Sequence, residues 1–188
     1  MAYYSDLDFQ NQDFSQKSLE QSEYEGCTFS HCNFSNQDLK GFSFENCSFK
    51  NCDLSNIQVS GVSFREVSFE SCKMLGIHFH TANPFLLEFN FQKCQLSYCS
   101  FFNLKLKKSK FNNCQLLEAD FSQTDLSGAD FQGSELAGTV FDRTILEKAD
   151  LRNTSNFEID PEINRLKGAR FDLDGLPGLL RKYGIKIG

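Results

Sequence analysis

The chain has 188 residues, enough for one domain with a sizeable core, and its composition is unusual in holding 21 Phe, 8 Cys and no Trp. Its net charge of −6 disfavours direct binding to DNA or to a membrane surface, because both are polyanionic. Since the chain has neither a transmembrane-length apolar run of ~20 residues nor an apolar signal region, we expect a cytoplasmic protein with reduced thiols.

Large apolar residues recur at every fifth position over most of the chain. One series begins at Phe9 and ends at Phe79, and a second begins at Phe91 and ends at Leu151, without a missed position inside either. An amphipathic helix has a period of about 3.6 residues and a strand a period of about 2. A period of five fits neither, so the backbone must turn a corner once in every repeat.

The position two residues before the centre holds a small side chain in many repeats. All eight cysteines fall in this slot, and Ala, Ser and Thr replace them after Cys114. One small and one large side chain therefore point inward in each repeat, and we expect the cysteines to be buried core residues. Gln12, Lys17 and Gln37 also fall in the slot, and because a buried unpaired Lys is costly we expect the first coil to be open.

The pattern resembles the pentapeptide-repeat family, whose motif is A(D/N)Lxx, most clearly from Ala119 to Gly133. The resemblance implies an all-β fold, a right-handed quadrilateral β-helix with four repeats per coil and a short C-terminal helix. Twenty residues per coil would stack Phe9, Phe29, Phe49 and Phe69 in one internal column and Cys32, Cys52 and Cys72 in another. We place the β-helix in residues 1–153, interrupted near 80–90, and a cap and dimerisation segment in residues 154–188.

The interruption is a step of twelve residues from Phe79 to Phe91, with a proline where a centre is due. Proline cannot donate to a strand ladder, so the chain must bulge outward or skip a rung. One interpretation is a tolerated insertion. The other is a contact loop with exposed apolar residues, formed by Asn83, Pro84, Phe85 and Leu86.

After Leu151 the repeat stops, and residues 174–183 read as a short helix with Asp174 as its cap and Gly184 as its stop signal. An apolar stripe on this segment should cover the last coil or contact a second copy, since an open solenoid edge would otherwise aggregate. Apolar residues also fill two outward slots in the preceding coils. We predict a homodimer through the C-terminal end that uses Leu176, Leu179, Leu180, Tyr183, Ile185, Val140 and Ile145.

The sequence offers little for chemistry. No phosphate-binding loop, nucleophile motif or dinucleotide fingerprint is present, and the cysteines lack the close pairs of a zinc site. His78 and His80 flank Phe79 and point outward, so we interpret them as a solvated pair without a third ligand. We therefore predict a binding protein that is not an enzyme and that has no cofactor, metal or catalytic residue.

Charge alternates along the chain. Residues 1–60 have a net charge of −6, residues 61–115 of +4, residues 116–160 of −7 and residues 161–188 of +3. Seven of the ten acids of the third block are singled out because they fall in outward slots, where they would face a basic groove on a partner or serve only solubility. They are Asp120, Asp125, Asp130, Glu135, Asp142, Glu147 and Asp150.

Three stretches narrow the resemblance to the Qnr, AlbG and McbG group of topoisomerase-poison resistance proteins. The segment from Cys72 to Ile77 resembles Qnr and AlbG, that from Pro161 to Arg165 resembles McbG, and that from Leu179 to Gly188 resembles the Qnr C-terminus. The resemblance implies a dimeric DNA mimic that protects DNA gyrase, or topoisomerase IV, from quinolones or peptide toxins. The loop near residue 84 is shorter than those of Qnr proteins, and a repeat scaffold with another protein partner is the alternative.

Overall fold

The computed structural model describes residues 2–186 and shows the expected right-handed, four-sided β-helix. Two of its walls contain regular strands, all paired in parallel. The four-stranded wall has the order β1-β3-β5-β7, and the six-stranded wall has the order β10-β9-β8-β6-β4-β2. Their bounds are β1 Ala2–Ser5, β2 Asp8–Gln10, β3 Ser22–Glu25, β4 Thr28–Ser30, β5 Ser43–Glu45, β6 Ser48–Lys50, β7 Ser63–Arg65, β8 Val67–Glu70, β9 Phe89–Gln92 and β10 Lys110–Asn112.

The other walls, and all four walls after β10, are held by single parallel bridges between residues one coil apart. One such ladder joins Lys105, Asp125, Ile145 and Arg165, and another joins Lys110, Asp130, Asp150 and Arg170. The spacing of twenty residues per coil predicted from the sequence is confirmed. The coil also continues beyond Leu151, because Arg165 and Arg170 still pair with the coil below.

The core consists of stacked rings, as the repeat predicted. The ring centroids of Phe9 and Phe29 lie 4.8 Å apart, those of Phe29 and Phe49 4.8 Å, and those of Phe49 and Phe69 5.1 Å. These separations match the ~4.8 Å between neighbouring strands, so each ring occupies one coil. Stacked aromatic rings of this kind fill a narrow interior without voids.

The side chain in the small inward slot often donates a hydrogen bond, a role that filling the space would not by itself require. All eight cysteines are buried, as predicted. The thiol of Cys52 donates to the carbonyl of Phe29 at 3.3 Å, and the hydroxyl of Thr124 donates to the carbonyl of Phe101 at 2.8 Å. In both cases the acceptor lies 23 residues back, on the coil below, so thiol and hydroxyl occupy equivalent positions.

The corners of the coil require a backbone conformation that the sequence pattern did not identify. The residue two places after nearly every centre has a positive φ, such as 60° at Asn36, 57° at Asn56 and 82° at Gly41. Asn and Gly tolerate this left-handed conformation best, and a longer side chain in the same place stores strain. Lys108 and Lys148 are among the residues that do so here, with φ of 61° and 59°.

The interruption is a bulge, as expected. His78 pairs with Ser100 and β8 pairs with β9, so the register advances by 22 rather than 20 residues across it. Phe85 and Leu86 project into solvent with 68% and 62% of their surface exposed. The core continues beneath the bulge because Phe89 is fully buried, with its ring 5.3 Å from that of Phe64.

The first coil is open, as the inward-slot residues predicted. Gln12 and Lys17 are exposed and Gln37 is half-buried. The side-chain amide of Gln12 donates to the backbone carbonyl of Gln10 at 2.8 Å. Phe9 and Leu19 are correspondingly only partly buried.

The short C-terminal helix is confirmed, but it begins earlier than predicted. It consists of two short 3₁₀ helices, Leu173–Leu179 and Arg181–Tyr183, and Asp172 rather than Asp174 precedes the first. Pro177 lies inside the first helix, where it cannot donate the backbone hydrogen bond of a regular helix. Gly184 ends the second helix in the left-handed conformation, with φ of 62°, as predicted.

Candidate functional site: the acidic coils, the loop and the C-terminal end

The predicted acids of residues 116–160 lie on the outer face of the coils, as expected. Asp120, Asp125, Asp130 and Asp150 each precede a buried centre and form bridges with the coils above or below. Asp130 pairs directly with Asp150, so two carboxylates of the same wall stand one rung apart. The acids of this block that the sequence singled out are all half-buried rather than fully extended into solvent.

The half-burial has a local cause, because these carboxylates close the corners of the coil. Asp120 accepts the backbone N–H of Ser122 at 2.9 Å, and Asp130 accepts that of Gln132 at 3.0 Å. Asn33 and Asp53 accept the N–H two residues on in the same way, at 3.0 and 2.9 Å. The Asp or Asn of the repeat motif is therefore a turn residue, whatever else it contacts.

Several of the acids are also neutralised by bases. The guanidinium of Arg152 lies 2.6 Å from the Asp150 carboxylate, and that of Arg170 lies 3.8 Å from it. Lys107 lies 3.3 Å from Asp125. Glu147 is likewise paired with Arg165 at 2.7 Å, so the block presents less unpaired charge than its sequence suggests.

Five acids of the block make no ion pair with any described residue. They are Glu118, Asp120, Asp130, Glu135 and Asp142.

The paired carboxyls stay ionised under mildly acidic conditions. The hydrogen bond from Arg152 holds the pKa of the Asp150 carboxyl below its ordinary value, and the charge of Arg170 acts in the same direction. Burial alone would raise the pKa of Glu135, but hydrogen bonds from Ser155 and Asn156 bring it below the usual range. Asp150 and Glu135 are therefore deprotonated at neutral pH.

Sequence reasoning missed these partners, although the register could have found them. Arg170 lies twenty residues after Asp150, which places it directly above on the same wall. Arg152 is two residues from Asp150, at the position that closes the turn. Applying the coil period to charges as well as to apolar residues would have identified both pairs.

The loop residues are brought to the outside of the rod, but not to the acidic coils. Asn83 closes the loop by accepting the N–H of Phe85 at 3.0 Å and by donating to the hydroxyl of Ser63 at 3.2 Å. Pro84, Phe85 and Leu86 are exposed. The loop is flanked by the bridges from His78 to Ser100 and from Asn90 to Lys110, so it lies one coil below residues 101–109, among the lysines of the basic block.

The residues predicted for dimerisation divide into two groups. Leu179 and Leu180 are half-buried, and Leu179 packs against the core of its own chain. Leu176, Tyr183 and Ile185 remain 40%, 53% and 56% exposed. Val140 is 46% exposed and Ile145 is half-buried, so their outward apolar surface lacks a cover from the described part of the chain.

The capping segment is tied to the last coil by charge as well as by packing. Lys182 lies 2.6 Å from both Asp160 and Glu162, and Arg181 lies 3.5 Å from Glu158. A cleft of about 730 Å³ remains between the last coil and this segment, beside Phe157 and Pro177. Within residues 2–186 no three or more His, Cys, Asp or Glu side chains are grouped as metal ligands, and no helix has the length and apolarity to cross a bilayer.

Comparisons with known families match both halves of the rod. Residues 82–151 match the family described as pentapeptide repeat region, and residues 27–65 match pentapeptide repeats (8 copies). Together the two matches cover more than half of the chain. A comparison with curated proteins finds no significant match.

Solved structures share the fold. One is a trypsin-treated form of QnrB1, described as a plasmid-mediated fluoroquinolone resistance protein, which is 22% identical and aligns over 100% of both chains with a TM-score of 0.65. A second QnrB1 structure is 21% identical over 97% of this chain and 99% of that one, again with a TM-score of 0.65. HetL, from the cyanobacterium Nostoc and described as involved in regulation of heterocyst differentiation, is 16% identical over 91% of this chain and 86% of its own, with a TM-score of 0.53.

Proposed function

The chain belongs to the pentapeptide-repeat family, and from that premise we propose that it is a DNA-mimicking binding protein for a type II topoisomerase. It binds DNA gyrase, or topoisomerase IV, in the cytoplasm and protects the enzyme from poisons such as quinolones or peptide toxins. It acts by occupying a surface and catalyses no reaction.

The observation that carries the proposal is the match to QnrB1 along the whole of both chains. That protein is described as conferring fluoroquinolone resistance, and its fold is reproduced here from the first coil to the C-terminal segment. The similarity of three short stretches to the same group of resistance proteins supports the same assignment.

The physical basis is the regular spacing of negative charge on a rod. One coil carries a carboxylate on each of its four walls, at Asp120, Asp125, Asp130 and Glu135, and Asp150 repeats the position of Asp130 one coil, or ~4.8 Å, further along. A groove that binds duplex DNA is basic, so such a rod is attracted to it and held in register by opposite charge. The acids that make no ion pair with a described residue contribute most, because their charge is not neutralised by a bound base; they are Glu118, Asp120, Asp130, Glu135 and Asp142.

Dimerisation would strengthen this surface. Contact between two C-terminal ends through Leu176, Tyr183 and Ile185 would cover their exposed apolar surface. It would also bring the two acidic blocks, each with a net charge of −7, to the middle of one long rod. The loop from Asn83 to Leu86 would act as an auxiliary contact at a distance from this centre.

A supercoiling assay with purified gyrase tests the proposal. The purified protein should restore supercoiling in the presence of a quinolone at concentrations that leave uninhibited gyrase active. A matched variant with Asp120→Asn, Asp130→Asn and Asp142→Asn should restore less, because the turns keep an acceptor while the charge is lost. If the wild-type protein leaves poisoned gyrase unchanged, the proposed activity is wrong.

A second candidate function is that of a scaffold that binds a different protein. The likeness to HetL favours it, because HetL has the same fold and is described as involved in regulation of heterocyst differentiation. Fold alone does not determine the partner of a repeat protein. A pull-down from lysate separates the two, since recovery of gyrase subunits supports the first function and their absence alongside another specific partner supports the second.

A further inference from the structure

Two apolar surfaces face solvent on neighbouring walls of the rod. The first is the tip of the loop, where Phe85 and Leu86 are 68% and 62% exposed. The second is the pair formed by Val140, 46% exposed, and the half-buried Ile145, in outward slots that hold Asp120 and Asp125 one coil below. Exposed apolar surface rimmed by charged residues is typical of a protein contact.

The bridges fix the heights of these two surfaces. On one wall a ladder of four rungs joins His78, Ser100, Asp120 and Val140. On the next wall Lys105, Asp125 and Ile145 form consecutive rungs, and the loop lies one rung below Lys105. The loop is thus level with the first rung and the apolar pair with the fourth.

Consider a two-fold axis perpendicular to the rod, at a height midway between Ser100 and Asp120. This axis exchanges the first rung with the fourth and the second rung with the third. If a second copy lies side by side in the opposite direction, its fourth rung stands at the level of the first rung of this copy. The loop then faces Val140 and Ile145 of the second copy, and the same contact forms again on the other side of the axis. Such an isologous contact is self-complementary, as a closed dimer requires.

Charge selects the same alignment. The axis brings the block 61–115, with a net charge of +4, against the block 116–160 of the second copy, with a net charge of −7. Lys105, which is exposed and makes no ion pair within residues 2–186, comes level with Asp125 of the second copy. A side-by-side arrangement with both rods in the same direction would oppose like charges and be disfavoured.

From these two observations we propose that two copies of this chain associate laterally and antiparallel, with Phe85 and Leu86 of each covering Val140 and Ile145 of the other. The contact lies on the side of the rod, so it leaves the C-terminal ends available for a separate contact. The lateral contact also covers the loop and part of the acidic block of residues 116–160. The two copies would therefore have to separate before this acidic block could bind a basic partner.

Disulfide trapping in the full-length chain tests the geometry. A Leu86→Cys variant and a Val140→Cys variant are prepared separately, mixed and treated with diamide, which takes up the two thiol hydrogens as the disulfide forms. The native cysteines are buried, and burial raises the pKa of Cys47 and of Cys99 to about 12, so the introduced exposed thiols react first. The proposal predicts a covalent dimer that contains one copy of each variant, identified by mass.

Each variant alone should give little covalent dimer. The axis separates the two copies of residue 86 by three rungs, or about 14 Å, whereas a disulfide needs Cα atoms within about 7 Å. Gln115→Cys, exposed on a different wall, is the control and should not link to either variant. Rising salt should lower the yield of the mixed dimer, because the contact opposes unlike charges.

A mixed dimer that exceeds all single-variant and control dimers supports the lateral contact. The absence of a mixed dimer at protein concentrations up to the millimolar range, or equal linking of Leu86→Cys with itself, overturns it. Neither outcome depends on whether the protein binds a topoisomerase.

Discussion

Residues 1–60 and residues 116–160 carry nearly the same net charge, −6 and −7, but hold it differently. Before the loop, six acids are exposed and form no ion pair with a described residue. They are Asp6, Asp8, Asp13, Glu20, Glu23 and Glu25. After the loop, Asp125, Glu147 and Asp150 are each paired with a base and half-buried at a corner. Net charge read from sequence therefore overstates the negative field of the C-terminal coils relative to the N-terminal ones.

The two regions also differ in the inward slot while keeping one architecture. Before the loop the slot holds five cysteines among larger apolar and polar residues, and after Cys114 it is Ala, Ser or Thr. The thiol of Cys72 and the hydroxyl of Thr144 both donate to a carbonyl 23 residues back, at 3.3 and 2.9 Å. Where the slot holds a small donor, the solenoid therefore accepts a thiol or a hydroxyl in the same role.

Removing the C-terminal capping segment should have the largest effect on the assembly and solubility of the protein. The effect should arise in the C-terminal coils, because only they contact this segment. Truncation after Leu173 removes Leu179 from the core edge and the bases that pair with Glu158 and Asp160. The last coil then presents an open edge, so we expect monomer or aggregate in sedimentation. The control is Leu173→Ser, at a residue that is 84% exposed, and this variant should behave as wild type. A soluble dimer from the truncated chain would contradict the assignment of dimerisation to the C-terminal end.

The second largest effect should come from a larger side chain in the internal column of cysteines. Cys52→Leu adds volume to a fully enclosed slot and should cost about 1–3 kcal/mol in the free energy of unfolding. Cys52→Ala and Cys52→Ser should cost less, because Ala and Ser already fill the slot after the loop. Denaturant titration measures all three, and a Leu variant as stable as the Ala variant would show that the column is loosely packed.

The sequence predicted what repeats and missed what does not. Periodicity alone located the inward residues, the coil length, the ring columns and the bulge at Pro84, since each follows from a spacing. The start of the C-terminal helix was placed too late, with Asp174 rather than Asp172 before its first residue, because an isolated segment of few residues gives no periodic signal. The pairing of Asp150 with Arg152 and Arg170 was missed because outward slots were counted as solvent rather than placed on rungs.

Acid should destabilise the corners whose carboxyl pKa values are lowered by hydrogen bonds and bases, as at Asp150. The pKa of Asp150 is lower when folded than the ~3.9 of an unfolded Asp, so its stabilisation is complete above that value and is lost as pH falls through the folded pKa. Asp150→Ala also removes the acceptor of the Arg152 N–H and should cost about 1 kcal/mol near neutral pH.

Asp150→Asn, which keeps an acceptor, should cost less, and Asp8→Ala, at an exposed position before the loop, should fall within about 0.5 kcal/mol of wild type. Thermal unfolding between pH 3 and 7 compares the three variants. An equal loss for Asp150→Ala and Asp8→Ala would show that the paired corner adds nothing to stability.

The central claim is that the C-terminal acidic coils bind gyrase by charge, and the most direct test is the affinity for purified gyrase as a function of salt. The variant Asp130→Asn, Glu135→Gln, Asp150→Asn is compared with the far-end variant Asp8→Asn, Asp13→Asn, Glu25→Gln, which removes the same number of charges. We predict that wild-type affinity falls steeply with ionic strength, that the first variant weakens it without unfolding the rod, and that the second weakens it less. Binding that is unaffected by the first variant and by salt would contradict the mechanism, even if the two proteins associate.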